Sequence, residues 1–246
     1  MEPAEHLKAL RSGADAFLDA AAGALDRPVR SCPGWAMGDL VAHVGTAWGW
    51  AAAMLRTGAR AERPEAPGAD PADALLGWTR QRADEVIDAV DRLGVAEPDH
   101  DCWTFGLPRT RRFWVRRMAQ ETVLHAWDAQ DAAGHPVPID GEVAADGVDE
   151  YLTVLLGRCL QRNPGTWSGE TVHLHRTDGD GEWLVRLDAG AAEVTRGHAK
   201  GDAAIRGPAS SLFLWCTGRG KAGDLDGLDV VGDASVVERW SEDIVF

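Results

Sequence analysis

The sequence predicts an α+β protein, in which a four-helix bundle with one further helix precedes a small α+β domain. Two observations predict this order. Apolar residues recur at three- and four-residue steps through the first two-thirds of the chain, and alternating, strand-like runs begin after Gly165. The length of 246 residues lies between that of one and two average domains. We therefore predict two domains, residues 1–165 and residues 166–246.

The periodicity predicts five helices in the first domain. They cover about residues 4–24, 37–56, 71–93, 109–133 and 141–161. Helix-stop signals such as Gly134-His135-Pro136 follow several of these segments. In the second domain the pattern predicts strands and helices. The strands cover about residues 171–176, 182–187, 192–195, 203–205 and 228–231, and the helices cover 208–217 and 234–240.

The composition narrows the functional class. Lys and Arg number 25 and Asp and Glu 39, which gives a net charge of −14, so binding to a phosphate backbone is disfavoured. The four cysteines form no CxxC pair, which is typical of a reducing compartment. No apolar run approaches the roughly 18 residues that span a bilayer, and the charged, amphipathic N-terminus is unlike a signal peptide. We expect a soluble, cytoplasmic protein that binds neither nucleic acid nor membrane.

The fourth predicted helix carries the most informative residues. Glu121 and His125 lie one turn apart on a face that points toward the bundle core. His43 lies on the inward stripe of the second helix, together with Trp50. Two histidines and one glutamate match a catalytic zinc site with three protein ligands and an open fourth position. The spacing alone, however, favours a hydrogen-bonded core histidine and an ordinary helical pair, because E-x-x-x-H is a weak motif.

Three stretches of the chain have a distinctive sequence. They are residues 31–45 (SCPGWAMGDLVAHVG), residues 120–129 (QETVLHAWDA) and, within residues 172–219, the pieces VHLH, DG, EW, IRGPA, LW and GR. Together they resemble the mycothiol-dependent maleylpyruvate isomerase family over nearly the whole chain. The resemblance implies a DinB-like four-helix bundle that binds zinc or another divalent metal through a His/Glu/His triad. It also implies a second domain similar to sterol carrier protein 2, and mycothiol as the thiol cosubstrate.

Carried over to this chain, the implied metal ligands are His43, Glu121 and His125, and all three positions are intact. Asp128, one turn beyond the triad, is a candidate to orient a ligand imidazole, or else a plain surface carboxylate. The resemblance also implies an active arginine in the second domain, and Arg219 is the best match. The competing interpretation of Arg219 is a cation that satisfies the carbonyls at a helix end.

Other candidates surround this set. Arg109, Arg111, Arg112, Arg116 and Arg117 crowd the start of the fourth helix, where the helix dipole disfavours positive charge. We select Arg112 and Arg116 as catalytic candidates that receive substrate carboxylates, although pairing with nearby acids explains the cluster equally simply. Trp50, like Arg219, is a candidate mycothiol contact. His173 and His175 share a strand face, for which a surface strand is the better explanation than a metal site.

The resulting hypothesis is a zinc enzyme that uses mycothiol on a small anionic or electrophilic substrate. The thiol either catalyses cis–trans isomerisation of a maleylpyruvate-like compound or stays attached to the product as an S-transfer. Two alternatives belong to other classes: a zinc hydrolase that activates water, and a non-catalytic binding module with a structural zinc.

Overall fold

The computed structural model describes residues 1–69 and 71–244. The chain divides into two compact units, Met1–Val137 and Pro138–Phe246. This division lies before the boundary predicted at residue 165, because the helix that starts at Gly141 packs against a helix of the second unit rather than joining the first. The two-part α+β class predicted from the sequence is confirmed.

Four α-helices build the first unit over the residues that the structure describes. They are α1 (Pro3–Ala21), α2 (Met37–Thr57), α3 (Ala72–Ala89) and α4 (Arg111–Ala133), and a π-helical stretch, Val90–Val95, extends α3. Helix α1 packs mainly on α4, and α2 packs mainly on α3. Gly45 permits the second contact, since a Cβ at this position would lie 2.4 Å from the ring of Trp78. The helices predicted at residues 37–56 and 109–133 correspond to α2 and α4, and their ends agree to within two residues.

A buried hydrogen bond joins α2 to α4. The indole N–H of Trp48 donates to the hydroxyl of Thr122 at 2.8 Å, and both residues are fully buried. The edge of the Phe17 ring from α1 packs on the same indole, with 5.8 Å between ring centroids. The Trp48–Thr122 hydrogen bond fixes α2 against α4 at the level of residue 122, which is where the candidate site lies.

The second unit combines a five-stranded sheet with four helical segments. Its helices are α5 (Gly141–Glu150), α6 (Leu156–Arg162), α7 (Ala209–Cys216) and α8 (Ala234–Asp243), and the π-helical residues Tyr151–Leu155 join α5 to α6. The strands are β1 (Ser168–Arg176), β2 (Glu182–Asp188), β3 (Ala191–Arg196), β4 (Ala203–Gly207) and β5 (Asp229–Gly232). All five predicted strands are present, and the helix predicted at 141–161 forms as α5, the π-helical residues and α6.

The strand order is β3-β2-β1-β4-β5. Strand β1 is parallel to β4, and the other neighbours are antiparallel. Helix α5 packs on α7, and Trp215 of α7 stacks on Trp240 of α8 with ring centroids 4.9 Å apart. Within residues 1–69 and 71–244, no helix is both long and apolar enough to cross a membrane.

Candidate metal centre

Three potential metal ligands converge between α2 and α4 in the first unit. Nε2 of His43 lies 3.1 Å from Oε1 of Glu121, and Nε2 of His125 lies 3.4 Å from the same oxygen. The imidazole rings of His43 and His125 are nearly perpendicular, with centroids 5.2 Å apart. The structure thus brings together the two histidines and the glutamate that the sequence proposed as a triad.

Helix geometry explains the convergence. Glu121 and His125 are four residues apart on α4, so their side chains lie one above the other on one face. His43 faces them from α2, which the Trp48–Thr122 hydrogen bond holds at this level. The site is therefore built on two regular helices rather than on loops, which limits the freedom of its side chains.

Each ligand of α4 has a partner on its far side. Nδ1 of His125 lies 2.8 Å from the buried carboxylate of Asp128, which leaves Nε2 directed at the centre. The guanidinium of Arg117 donates to Oε2 of Glu121 at 3.0 Å, which leaves Oε1 directed at the centre. Ligating histidines in metal sites typically have such a carboxylate on the other ring nitrogen. The contact expected of Asp128 is thus present.

The charges of the site favour a bound cation. Burial lowers the pKa of His125, but the carboxylates of Glu121 and Asp128 outweigh burial and raise it to about 9. Burial likewise opposes ionisation of Glu121, yet His125, His43 and Arg117 hold its pKa well below the usual range. The carboxylates of Glu121 and Asp128 lie on either side of His125, so both favour a positive charge there, on the imidazole or on a bound metal ion.

The donor set fits zinc. Two imidazole nitrogens and one carboxylate oxygen are zinc ligands, with bonds of about 2.0–2.2 Å, and a tetrahedral arrangement then separates the ligands by about 3.3 Å. The observed separations of 3.1 and 3.4 Å match this spacing. In the part of the chain that the structure describes, this group contains three ligand residues, so a fourth position stays open.

The open side faces solvent at His43. Exposure of the side chains falls from 38% for His43 to 19% for Glu121 and 10% for His125. The ring of Trp35, from the turn before α2, lies 5.2 Å from the ring of His43. A small molecule can therefore approach from the His43 side, beside an apolar wall.

Arg112 and Arg116, the predicted substrate contacts, lie in the first two turns of α4, before the metal ligands. Arg112 precedes Glu121 by nine residues, or about 13 Å along the helix, and Arg116 precedes it by five, or about 7.5 Å. Arg112 pairs with Asp99 at 3.1 Å, as the simpler interpretation of the arginine cluster expects. The role of Arg112 and Arg116 as contacts for substrate carboxylates stays a prediction.

Trp50 lies in an aromatic cluster of the first unit. Its ring packs edge-on against Trp103 and Trp114, and its N–H donates to the carbonyl of Ala61 at 2.9 Å. The guanidinium of Arg63 lies 4.6 Å from its ring centroid. These contacts account for Trp50 as a packing residue, and its role as a mycothiol contact stays a prediction.

Arg219 lies just after α7 in the second unit. Its backbone N–H donates to the carbonyl of Leu214, and its guanidinium donates to the carbonyl of Thr217 at 2.6 Å. Gly218 supplies the positive φ of 76° that lets the chain leave the helix there. These contacts agree with the interpretation that Arg219 satisfies carbonyls at the end of α7. Its catalytic role stays a prediction.

Sequence reasoning missed two residues of the site, Arg117 and Trp35. Arg117 belongs to the cationic cluster at the start of α4, although its spacing of four residues from Glu121 predicts the ion pair. Trp35 belongs to the motif that precedes α2. No periodicity places a turn residue beside His43, so its contact needed the structure.

The fold and the site define a class: a two-unit protein whose helical unit holds two histidines and a glutamate in a metal-binding arrangement. The protein-family model of the mycothiol maleylpyruvate isomerase N-terminal domain matches residues 7–130 of the sequence, and that of the MDMPI C-terminal domain matches residues 142–239. The chain belongs to the mycothiol-dependent maleylpyruvate isomerase family.

Solved structures agree on the fold. A crystal structure of the mycothiol-dependent maleylpyruvate isomerase and one of its histidine-to-alanine mutant each align with a TM-score of 0.61 and 16% identity. Each alignment covers 94% of this chain and 93% of the other. A UbiJ-SCP2 ubiquinone synthesis protein aligns over 43% of this chain and 91% of its own, at 20% identity and a TM-score of 0.32. No curated protein matches the sequence.

Proposed function

We propose that the protein is a zinc-dependent enzyme that uses mycothiol to isomerise a maleylpyruvate-like electrophile, an acid whose cis double bond is conjugated with a carbonyl group. The observation that carries the proposal is the convergence of His43, Glu121 and His125, in a chain that belongs to a mycothiol-dependent family. Zinc at this position supplies a Lewis acid that keeps a bound thiol deprotonated at neutral pH.

The chain's own residues prepare the site for this chemistry. Asp128 holds the His125 ring in one orientation, and Arg117 holds one oxygen of Glu121, so the remaining donor atoms are fixed before anything binds. Trp35 covers one side of His43 and limits the access of water. The exposure of His43 leaves a route for a small thiol and its substrate.

The number of ligands supports a catalytic role over a structural one. Structural zinc sites are closed by four protein ligands, whereas catalytic sites keep one position for water or substrate. The group around His43 has three ligand residues within residues 1–69 and 71–244. The outcome of the reaction, isomerisation or S-transfer of mycothiol to the electrophile, depends on whether the thiol leaves the product. The cytoplasmic location is likewise a prediction from the sequence.

The test is turnover of the zinc-loaded chain with maleylpyruvate, with and without mycothiol. We expect isomerisation that requires mycothiol and that is lost in His43→Ala and in His125→Ala, together with the zinc of this centre. His135→Ala is the matched control, because His135 is an exposed histidine of the same unit outside the cluster.

The products separate the competing functions. A product that carries the thiol identifies an S-transferase. Conversion at the full rate without any thiol would instead support a zinc hydrolase. Full zinc content in both His43→Ala and His125→Ala would refute the assignment of the metal ligands.

A further inference from the structure

A second cluster of potential metal ligands lies on one face of the sheet in the second unit. His173 and His175 are two residues apart on β1, so their side chains leave the same face of the strand. Glu182 of β2 pairs with His175 across the two strands. His198 follows β3, where the N–H of Gly197 donates to the carbonyl of Glu182 at 2.9 Å. Three adjacent strands thus deliver three imidazoles and one carboxylate to one place.

The three imidazoles converge on a single oxygen atom. Oε2 of Glu182 lies 2.9 Å from Nε2 of His173, 3.4 Å from Nδ1 of His175 and 2.7 Å from Nδ1 of His198. A carboxylate oxygen offers two lone pairs, so three N–H donors exceed what it can accept. All four ligand atoms lie within 4.8 Å of one another. The separation of His175 from Oε2 is close to the roughly 3.3 Å between ligands of a tetrahedral zinc ion, and those of His173 and His198 are hydrogen-bond distances.

A plain surface strand does not explain this arrangement. His173 is only 5% exposed, although it lies on the sheet face away from Val172 and Leu174 of the core. Its ring is covered by two other imidazoles, with centroids 6.0 Å from His175 and 5.3 Å from His198. The three imidazoles thus share a single carboxylate oxygen, and a cation at this place would instead accept a nitrogen lone pair from each of them.

We propose that His173, His175, Glu182 and His198 bind a divalent transition-metal ion of the zinc type, at a site separate from the ligands on α2 and α4. Imidazole nitrogens suit zinc, and a carboxylate oxygen completes a set of four. Four protein ligands close the coordination shell, which is the pattern of a structural site.

A metal ion at this site would cross-link the chain at the edge of the sheet. Among the described residues, β3 is an edge strand with β2 as its one neighbour in the sheet. His198 lies two residues beyond its last residue, Arg196. A metal ion bound through His198 therefore ties the segment after β3 to β1 and β2. The side chain of His198 is 78% exposed, which gives the ion a route from solvent.

The test is the metal content of the full chain after chelation, reloading with Zn²⁺ and dialysis, measured by mass spectrometry. We expect wild-type protein to hold one zinc more per chain than the His175→Ala/His198→Ala variant. His43→Ala/His125→Ala reports the first site separately, so zinc lost from one site is not mistaken for the other. His135→Ala is the control that removes an exposed histidine outside both clusters.

A second measurement guards against a folding defect. His198→Ala removes an exposed side chain, and its dissociation constant for Zn²⁺ at this site should rise by at least the roughly 10-fold typical of weaker perturbations of metal sites. Zn²⁺ should also raise the melting temperature of His43→Ala/His125→Ala, and this rise should become smaller when His198→Ala is added. Equal zinc content in wild type and His175→Ala/His198→Ala, or an unchanged affinity in His198→Ala, would overturn the proposal.

Discussion

Replacing Asp128 by Asn tests how the first metal centre is held in place. The Asp128 carboxylate accepts a hydrogen bond from Nδ1 of His125 at 2.8 Å, and its side chain is fully buried. Asn keeps the size and one acceptor oxygen but removes the charge. We expect Asp128→Asn to retain the fold and to bind zinc more weakly, since a less basic His125 is a poorer ligand.

The size of the effect follows from the contact. Hydrogen bonds to charged groups contribute about 1.5–3 kcal/mol, and neutral ones about 0.5–1.5 kcal/mol. The difference is about 1–1.5 kcal/mol, and burial of Asp128 prevents water from replacing it. One factor of ten in affinity corresponds to about 1.4 kcal/mol, so Asp128→Asn should weaken zinc binding about tenfold. Asp128→Ala, which also frees the ring to rotate, should approach the roughly 100-fold upper end for such partners.

The assay is competition for zinc between the full chain and a chromophoric chelator. Asp131→Asn provides the control, because Asp131 is a half-exposed carboxylate one turn further along α4. The same measurements are made in the His175→Ala/His198→Ala background, in which only the first metal centre is left to bind zinc. A dissociation constant in Asp128→Asn equal to those of wild type and Asp131→Asn would refute the idea that this carboxylate supports the ligand.

Two further predictions concern stability. The N–H of Ser168 and the guanidinium of Arg239 lower the pKa of Glu170 from 4.5 to about 2, so Glu170 stabilises the fold above pH 4.5, and this contribution is lost as the pH falls toward 2. Because the pair is partly exposed, Glu170→Gln should cost about 1 kcal/mol at pH 7 and less at pH 3, measured by urea unfolding. Thr122→Val should cost about 1–3 kcal/mol in the same measurement, since it leaves the buried N–H of Trp48 without an acceptor, whereas Thr122→Ser should retain most of the stability.

Local periodicity predicted most of the fold. Apolar spacing placed α2 and α4 to within about two residues at each end, and all five strands were located from alternation and turn residues. The boundary between the units depends on which partner the helix at Gly141 packs against. Its amphipathic face suits either unit, and only the structure shows that it packs on α7.

In the metal site, too, the sequence predicts contacts within one helix but not contacts between elements. Contacts within one helix turn, such as Glu121 with His125 and His125 with Asp128, follow from spacing alone. The contact of His43 with Glu121 depends on how α2 packs on α4, and the sequence predicts it only through its resemblance to the family. The pairing of Arg112 with Asp99 does not follow from spacing, because Asp99 lies in the loop before α4 and no periodicity connects a loop carboxylate to a helix face.

The two clusters show why the number of ligands carries more information than their type. Both use imidazoles and a glutamate. The group at His43 has three such residues, together with an outer carboxylate and a guanidinium that hold the donors, so a bound ion keeps one position for a small molecule. The group at His173 has four, so a bound ion would have no position left for substrate. One of the four, His198, lies on an exposed segment after an edge strand, so the free energy of metal binding would stabilise the sheet. Removing metal from the first group should therefore abolish turnover with a small change in unfolding free energy. Removing it from the second should lower the melting temperature of the second unit and leave the chemistry of the first in place.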